Sequence, residues 1–511
     1  MPRRHASRLT HLLAVVGLAA IAVTVAPAAA GAASSASGHL TGPQRATLLG
    51  YARNTWAGFV AMTDEDTGLP ADSLRSDGLR SVQTSTTNIG AYLWSTVVAE
   101  RLGIIGHGEA AERVEQTIAT LERMERHAAS GQFYNWYDQT TGAKLTVWPE
   151  SGVAMTPILS SVDNGWLAAA LQVVSNTVPE VSARAHAIFQ SMNFGFYYRP
   201  EVNRIAFHVA PGTGDSPCCY DTIVSESRIA SYIGIAKGEL PAKEYFGAWR
   251  TFPAFADSCD WDWQETRPIG VNRTYLGVNV FEGAYQYEDF RVVPGWGGSM
   301  FEALMPSLFV PEEKWGPESW KVNHPLTVAA QIHHGMVEAE YGYWGFSPAN
   351  IPEGGYREFG VDALGMNPEG YSSNLERTYV NRGFEGCRPA VQDPPPSAYT
   401  NGVVTPHAAF LALPWATALT LDNLAAIKSD FASYDRWGFR DSINVDSGVV
   451  SNYYLSLDQG IVMAAIGNAV ADDMLRDAFA TKEVRKVLQP IIAMETFGAG
   501  PASAANAYLR P

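Results

Sequence analysis

The sequence predicts an all-α fold of paired helices closed into a toroid, with strands confined to short β-hairpins in loops. Three observations predict it. Apolar residues recur at helical spacing in a series of stretches of roughly 12–18 residues. Short connections rich in Gly and aromatics, such as Gly131-Gln-Phe-Tyr-Asn-Trp-Tyr-Asp138, separate them. Strand patterns are few and local.

The elements follow in order. Arg3, Arg4, His5 and Arg8 make a basic start, Leu12 to Val25 an apolar run, and Ala28-Ala29-Ala30 a small-residue site. That is the layout of a secretory signal peptide over residues 1–33, with an apolar run too short for an ordinary membrane span. Thr41-Gly-Pro-Gln44 reads as a helix start, Gln44 closing a capping box on Thr41 and Pro43 sitting in the first turn. Leu48, Ala52, Trp56 and Phe59 continue that helix. Helices are expected at 88–102, 108–126, 163–177, 180–192, 223–237, 298–309, 325–340, 405–413, 420–432 and 458–480. Two segments break the rhythm. Residues 251–297, rich in Trp, Tyr and Asp, are expected to form an ordered insertion, and 385–401, with Pro394-Pro395-Pro396, an exposed loop. Neither reads as a linker, so one domain is expected from about residue 40 to 505.

Composition narrows the function. Hydrophobic residues are 46% and charged residues 17% of the 511, enough apolar side chain for a large core. Lys plus Arg number 36 against 52 Asp plus Glu, a formal charge of −16. Without a basic excess to displace counterions, a nucleic-acid partner is excluded. Beyond the leader no run is long and apolar enough to span a membrane, so an exported, extracellular protein is expected. There are 14 Trp, 22 Tyr and 21 Phe; most belong in the core, but those left over suit a groove that stacks sugars. The four cysteines, Cys218, Cys219, Cys259 and Cys387, are an even count in an oxidising compartment and read as two disulfides. A vicinal bridge would strain the backbone, so Cys218 and Cys219 are each expected to reach Cys259 or Cys387.

The chemistry candidates are acids set among aromatics and glycines. Asp163 stands in Ser161-Val-Asp163-Asn164-Gly-Trp166, and Glu226 in Tyr220-Asp221-Thr-Ile-Val-Ser225-Glu226-Ser-Arg228. Asp441 ends Gly438-Phe-Arg-Asp441, and Asp458 lies in Tyr454-Leu-Ser-Leu-Asp458-Gln459-Gly460. An acid at a helix start has an ordinary explanation, capping of free N–H groups. Glu226 sits in an otherwise apolar stretch, and its ordinary explanation is a salt bridge with Arg228.

With Thr84-Ser-Thr-Thr-Asn88-Ile-Gly90, Phe133 to Asp138, Gly297 to Glu302, Tyr343-Trp344-Gly345-Phe-Ser347, Tyr356-Arg-Glu-Phe-Gly360 and Gly402 to Pro406 in between, these segments share an order. Over residues 84–480 the chain resembles the glucoamylase-like (glycoamylase) domain family, which includes bacterial endo-β-1,2-glucanases and has a related domain in cyclic β-1,2-glucan synthases. The resemblance implies an (α/α)6 toroid and hydrolysis of a glycosidic bond in an oligo- or polysaccharide without metal or organic cofactor, the expected substrate being a β-glucan, β-1,2-linked first, with another cell-wall or extracellular polysaccharide as the alternative. It implies Glu226 as the acid that protonates the leaving oxygen and Asp458 as the base that activates water, with Asp441 or Asp163 as alternatives for the base. Asp163, Tyr220, Asp221, Arg228, Trp344, Tyr356 and Asp441 are implied to hold the sugar. The chain departs from the family at Ile461, where many members have Pro, and at the 251–297 insertion. Two other readings are a polysaccharide lyase, disfavoured by the acidic charge, and a sugar-binding protein without activity, which would not need both Glu226 and Asp458.

Overall fold

The computed structural model describes residues 40–253, 259–264, 266–367, 384–389 and 402–510, all within one compact unit, Gly38–Pro511. The expected signal peptide lies outside the described residues, as do Pro394, Pro395 and Pro396 of the expected loop. Helices are α1 (Gly42–Met62), α2 (Thr86–Arg101), α3 (His107–Arg123), α4 (Ser161–Thr177), α5 (Ser182–Ser191), α6 (Arg228–Ala236) and α7 (Met300–Leu304). They continue with α8 (Glu312–Trp315), α9 (Trp320–His333), α10 (Pro406–Leu411), α11 (Leu413–Asp430), α12 (Ser456–Val470), α13 (Met474–Phe479) and α14 (Lys482–Ile492). Thr41 caps α1 in the expected reciprocal box with Gln44.

Helix contacts follow a cyclic order. α6 packs on α4, α4 on α2, α2 on α12, α12 on α10 and α10 on α7. Arg228 of α6 then donates to the carbonyls of Glu302 (3.0 Å) and Ala303 (2.7 Å) of α7. Each of the six has a second neighbour outside the series: α14, α5, α3, α1, α11 and α9 in the same order. The inner helices α2, α4 and α12 are buried nearly all round, as a helix between two layers must be.

The close inner contacts have a common local cause. In α2, α4 and α12 the fifth helical residue is Gly90, Gly165 and Gly460. A Cβ on Gly90 would meet the Trp166 carbonyl oxygen at 3.0 Å, one on Gly165 the Cβ of Ala230 at 3.1 Å, and one on Gly460 the Cβ of Ala91 at 2.6 Å. Across the last contact the Trp94 indole donates to the Gly460 carbonyl at 2.9 Å. Trp94, Trp166 and Phe309 interlock there at centroid distances of 5.1–6.2 Å.

Several elements differ from expectation. The 223–237 helix begins only at Arg228, so Glu226 stands in the turn before it. The 298–309 stretch is the short α7 followed by a 3-10 turn, Met305–Leu308. The helix expected at 325–340 starts earlier, at Trp320, carries Pro325 within, and widens into a π turn, His334–Glu338. The 458–480 helix is broken between α12 and α13, where Asp472 and Asp473 take positive φ. Within 251–297 an antiparallel sheet forms from Ile269–Tyr275, Val278–Tyr287 and Phe290–Val292. Most other strands are two- or three-residue pairings in loops, such as Ser73–Arg75 with Tyr453–Leu455.

The disulfides are Cys218–Cys219 and Cys259–Cys387, which corrects the expected cross-pairing. Phe252, Tyr285, Phe384 and Trp261 form an aromatic cluster that includes Cys387. It draws the 384–388 turn onto the insertion and sets Cys387 beside Cys259, Cα to Cα 5.7 Å. Neither is then left for the vicinal pair, whose connecting peptide is cis.

Gly460→Ala tests the packing argument. A helix normally gains about 1 kcal/mol from this change, but the new methyl at 2.6 Å from Ala91 forces helices apart, which costs about 1–3 kcal/mol. A lower denaturation midpoint is expected; an unchanged or higher one would refute close approach as the glycine's role.

Candidate active site

The first turns of the inner helices carry the polar side chains. Position three of α2, α4, α7 and α12 is Asn88, Asp163, Glu302 and Asp458. Ser85, Ser160 and Ser299 cap the first three. Because Cβ atoms lean toward the N-terminus of a helix, these groups point to the end of the ring where the loops lie. Asp163 does take part in capping: the Ser160 hydroxyl accepts its N–H and donates to its Oδ2 at 2.5 Å, while Thr87 donates to its Oδ1 at 2.6 Å.

One group of acids centres on Glu226. The Trp166 indole donates to Glu226 Oε2 at 2.5 Å, and the Glu226 N–H donates to Glu302 Oε2 at 2.8 Å. Burial, and then the negative charge of Glu302, push the Glu226 carboxyl well above the ordinary range. Burial lifts Glu302 to about 7 and raises Glu358, against a hydrogen bond from Trp296. The half-buried rings of Phe207, Tyr220 and Trp296 meet edge to face here at 4.6–6.4 Å, so Tyr220 does belong to an aromatic wall.

A second group centres on Asp458, only 4% exposed. Burial and the adjacent Asp441 carboxylate raise its pKa well above normal. Burial lifts Asp441 to about 6, against a hydrogen bond shared with Asp458 and one from the Asn350 N–H at 2.6 Å. Asp72 is also raised to about 6, by burial first, while accepting from Asn88 at 2.8 Å. Tyr356 links the two groups. After desolvation, the charges that raise its phenol are those of Asp458, Asp441, Glu226 and Glu358.

The expected sugar contacts are only partly brought together. Arg228 is buried and spent on Glu312, with contacts of 2.6 and 3.0 Å, and stacks on Trp320. It therefore neither pairs with Glu226 nor faces a sugar. It does bond the Ser225 carbonyl at 2.8 Å and so fixes the turn that presents Glu226. Asp221 pairs with Arg204. Trp344 is 2% exposed and packs in the core, not along a groove. Residues missed in the sequence are Glu302, Glu358, Asp72 and His407. A legible signal existed for Glu302: Ser85-x-x-Asn88, Ser160-x-x-Asp163 and Ser299-x-x-Glu302 repeat one cap-plus-three spacing.

Among the described residues, two groups carry metal-ligand atoms within 4.8 Å of one another: His407, Asp441 and Asp458, and Glu288, His333 and Glu338. In the second, Glu338 already accepts from Tyr287 at 2.8 Å. Asp64, in a stretch that starts like a calcium loop, accepts from the N–H groups of Asp66 and Thr67 and closes a turn.

Residues 266–483 match the Glycoamylase family model, described as "Putative glucoamylase", and 50–198 match a family of unknown function, DUF3131. The chain is 24% identical over 581 aligned positions to the cyclic β-(1,2)-glucan synthase NdvB of Rhizobium meliloti (strain 1021). The match covers 84% of the chain but only 18% of the synthase's length. The fold is similar to that of an endo-β-1,2-glucanase from Chitinophaga pinensis in complex with sophorotriose and glucose, with a TM-score of 0.61 and 16% identity over 88% of this chain and 98% of that one. It is similar also to a β-1,2-glucanase from Parabacteroides distasonis (0.62, 15%, 88% and 60%). A mutant endo-β-1,2-glucanase from Talaromyces funiculosus in complex with β-1,2-glucan gives 0.56 and 11% over 89% and 94%. The resemblance in the motifs is thus borne out.

Glu312→Gln tests whether Arg228 is structural. Burial alone would raise Glu312, but Arg228 and His324 outweigh it and hold the carboxyl at about 2. A depressed acid stabilises the fold above its unfolded pKa and loses that contribution as pH falls toward the folded one. Leaving Arg228 buried without its anion is expected to cost about 3–5 kcal/mol at neutral pH. The difference from wild type should shrink between about pH 4.5 and 2. Equal unfolding midpoints at pH 7 would refute the pairing.

Proposed function

We propose that the protein is a glycoside hydrolase that cleaves a β-glucan, with β-1,2-linked glucan as the substrate, on an (α/α)6 toroid. The cyclic order of inner contacts, each helix backed by an outer partner, supports the toroid. The single observation that carries the chemistry is the pair of buried acid groups, one at Glu226 and one at Asp458, whose charges both act on the Tyr356 phenol. Hydrolysis of an acetal needs one carboxyl that holds its proton and one that has lost it, on opposite sides of the bond.

Glu226 takes the first role. Burial beside Glu302 raises its pKa and so favours the protonated form, and the Trp166 indole fixes the oxygen that faces it. Asp458 takes the second, accepting a proton from the water that attacks the anomeric carbon, an arrangement that inverts configuration. Tyr220, Phe207 and Trp296 supply apolar faces for a pyranose ring. The β-1,2 linkage is supported by the proteins of similar fold, which include β-1,2-glucanases. Export with loss of residues 1–33 fits a polymer substrate outside the cell and the expected leader.

Glu226→Gln keeps size and the bond to Trp166 but removes the transferable proton. Reducing-end release from β-1,2-glucan is expected to fall about 10²–10⁴-fold. The thermal midpoint should hold, because Arg228 pairs with Glu312 and not with Glu226. Undiminished turnover would take Glu226 out of the mechanism, and a wild type inert on β-1,2-glucan but active on another glucan would overturn the linkage.

A further inference from the structure

Asp441, Asp458 and His407 come from three separate elements and meet in one sealed place. Asp441 follows the strand Gly438–Phe439, Asp458 is in the first turn of α12, and His407 is the second residue of α10. They are 1%, 4% and 3% exposed, and one metal-ligating atom from each lies within 4.8 Å of the others. Asp441 Oδ1, Asp458 Oδ2 and His407 Nδ1 are all buried without a hydrogen-bond partner. Buried polar atoms are almost always paired, so three unpaired ones set together call for a common ligand.

Neighbouring atoms of the same side chains are already committed. His407 Nε2 lies 3.0 Å from the Ser347 hydroxyl, and the Asn350 N–H donates to Asp441 Oδ2 at 2.6 Å. With its hydrogen on Nε2 and donated to Ser347, the imidazole presents a bare lone pair at Nδ1. The opposite tautomer gains nothing, because Asp458 Oδ2 stands 3.5 Å away, outside the usual range for an N–H donor. A proton shared between the carboxylates would pair two of the three atoms and leave Nδ1 facing other lone pairs. The charges acting on Asp458 are those of Asp441 and Asp72, both acids. A cation meets all three atoms and supplies the positive charge.

We propose that His407 Nδ1, Asp441 Oδ1 and Asp458 Oδ2 form a binding site for a zinc ion. An ion about 2.0–2.2 Å from each ligand would see Nδ1 and Oδ2, 3.5 Å apart, at about 110°, near the tetrahedral value. An imidazole ligand favours zinc over calcium or magnesium, which take oxygen. Ser347 and the Asn350 N–H orient two of the ligands, as the groups behind metal ligands do. The family resemblance implies hydrolysis without a metal, and the site departs from it on the strength of this chain's own donor atoms. Its consequence for the reaction rests on the reading of Asp458 as the base. Two adjacent carboxylates cannot both be ionised in a sealed place without a counter-charge. An ion on Oδ2 keeps Asp458 charged, with Oδ1 to take the proton from water.

The test is zinc binding by the full chain, read apart from activity. Protein stripped with a chelator and dialysed is titrated with zinc chloride as wild type, Ser347→Ala and His407→Leu. Wild type is expected to take up one ion per chain and His407→Leu none. Ser347→Ala should bind roughly 10–100-fold more weakly, the usual loss when the group orienting a ligating imidazole is removed. X-ray absorption at the zinc edge of the wild-type complex should show one imidazole, oxygens at about 2.0–2.2 Å and no sulfur. That spectrum needs no variant, so it decides the case if His407→Leu fails to fold. A wild type that takes up no zinc overturns the proposal and leaves a proton shared by Asp441 and Asp458. Undiminished binding in His407→Leu overturns it too, by placing the ion on other ligands. Reducing-end release from β-1,2-glucan is followed in parallel. Zinc bound by a wild type that cleaves no glucan keeps the site and removes the functional reading; glucan cleaved without zinc uptake does the reverse.

Discussion

The approach of α12 to α2, of α2 to α4 and of α4 to α6 is the constraint on which the rest depends. Each contact is closed by a glycine at the fifth helical position, two residues after a polar side chain. The spacing ties packing to chemistry. A helix that comes within backbone contact of its neighbour also brings its first turn, with Asn88, Asp163 or Asp458, to the common end. Removing the side chain at position five is what allows position three to converge.

That convergence creates an electrostatic problem. Asp72, Asp163, Glu226, Glu302, Asp441 and Asp458 are all raised above their ordinary values, with burial the leading cause for each. Burying that many carboxylates as anions is prohibitive, so the site holds protons in their place. Acids whose pKa values are raised by burial to different extents are suited to acid–base work near neutral pH. The Arg228 charge lowers Glu226 and Glu302, but less than burial raises them. The Arg228 side chain belongs to Glu312, and its carbonyl contacts lock the Glu226 turn against α7.

The insertion at 251–297 packs its sheet on α9 and ends at Trp296 of the aromatic wall. Its sheet and aromatic cluster hold Cys259 against Cys387, while the Cys218–Cys219 bridge stands immediately before Tyr220 in the aromatic wall. The cross-pairing was expected because a bridge between adjacent cysteines strains the backbone, yet Cys218 and Cys219 pair with each other. The stacking of Phe252 on Trp261, at 4.8 Å, is part of the aromatic packing that decided otherwise.

Local rules made much of the protein legible in the sequence. Apolar periodicity located most of the helices, the Thr41–Gln44 box set the start of α1, and acids beside glycines at helix starts marked Asp163 and Asp458. These depend on residues a few positions apart, whose preferences survive in any tertiary setting. Glu226 stood out by its apolar stretch, while Asp441 and Tyr356 were found by motif order, without any local feature that separated them from ordinary surface or capping residues. What the tertiary structure alone decided involves partners far apart in the chain: Arg228 with Glu312, Asp221 with Arg204, Trp344 turned into the core, and His407 set against Asp458. An arginine or histidine carries no mark in the sequence of the carboxylate it will meet. Only the closure of the helices determines which charges are buried together, and the cost of burying them unpaired then fixes the partner.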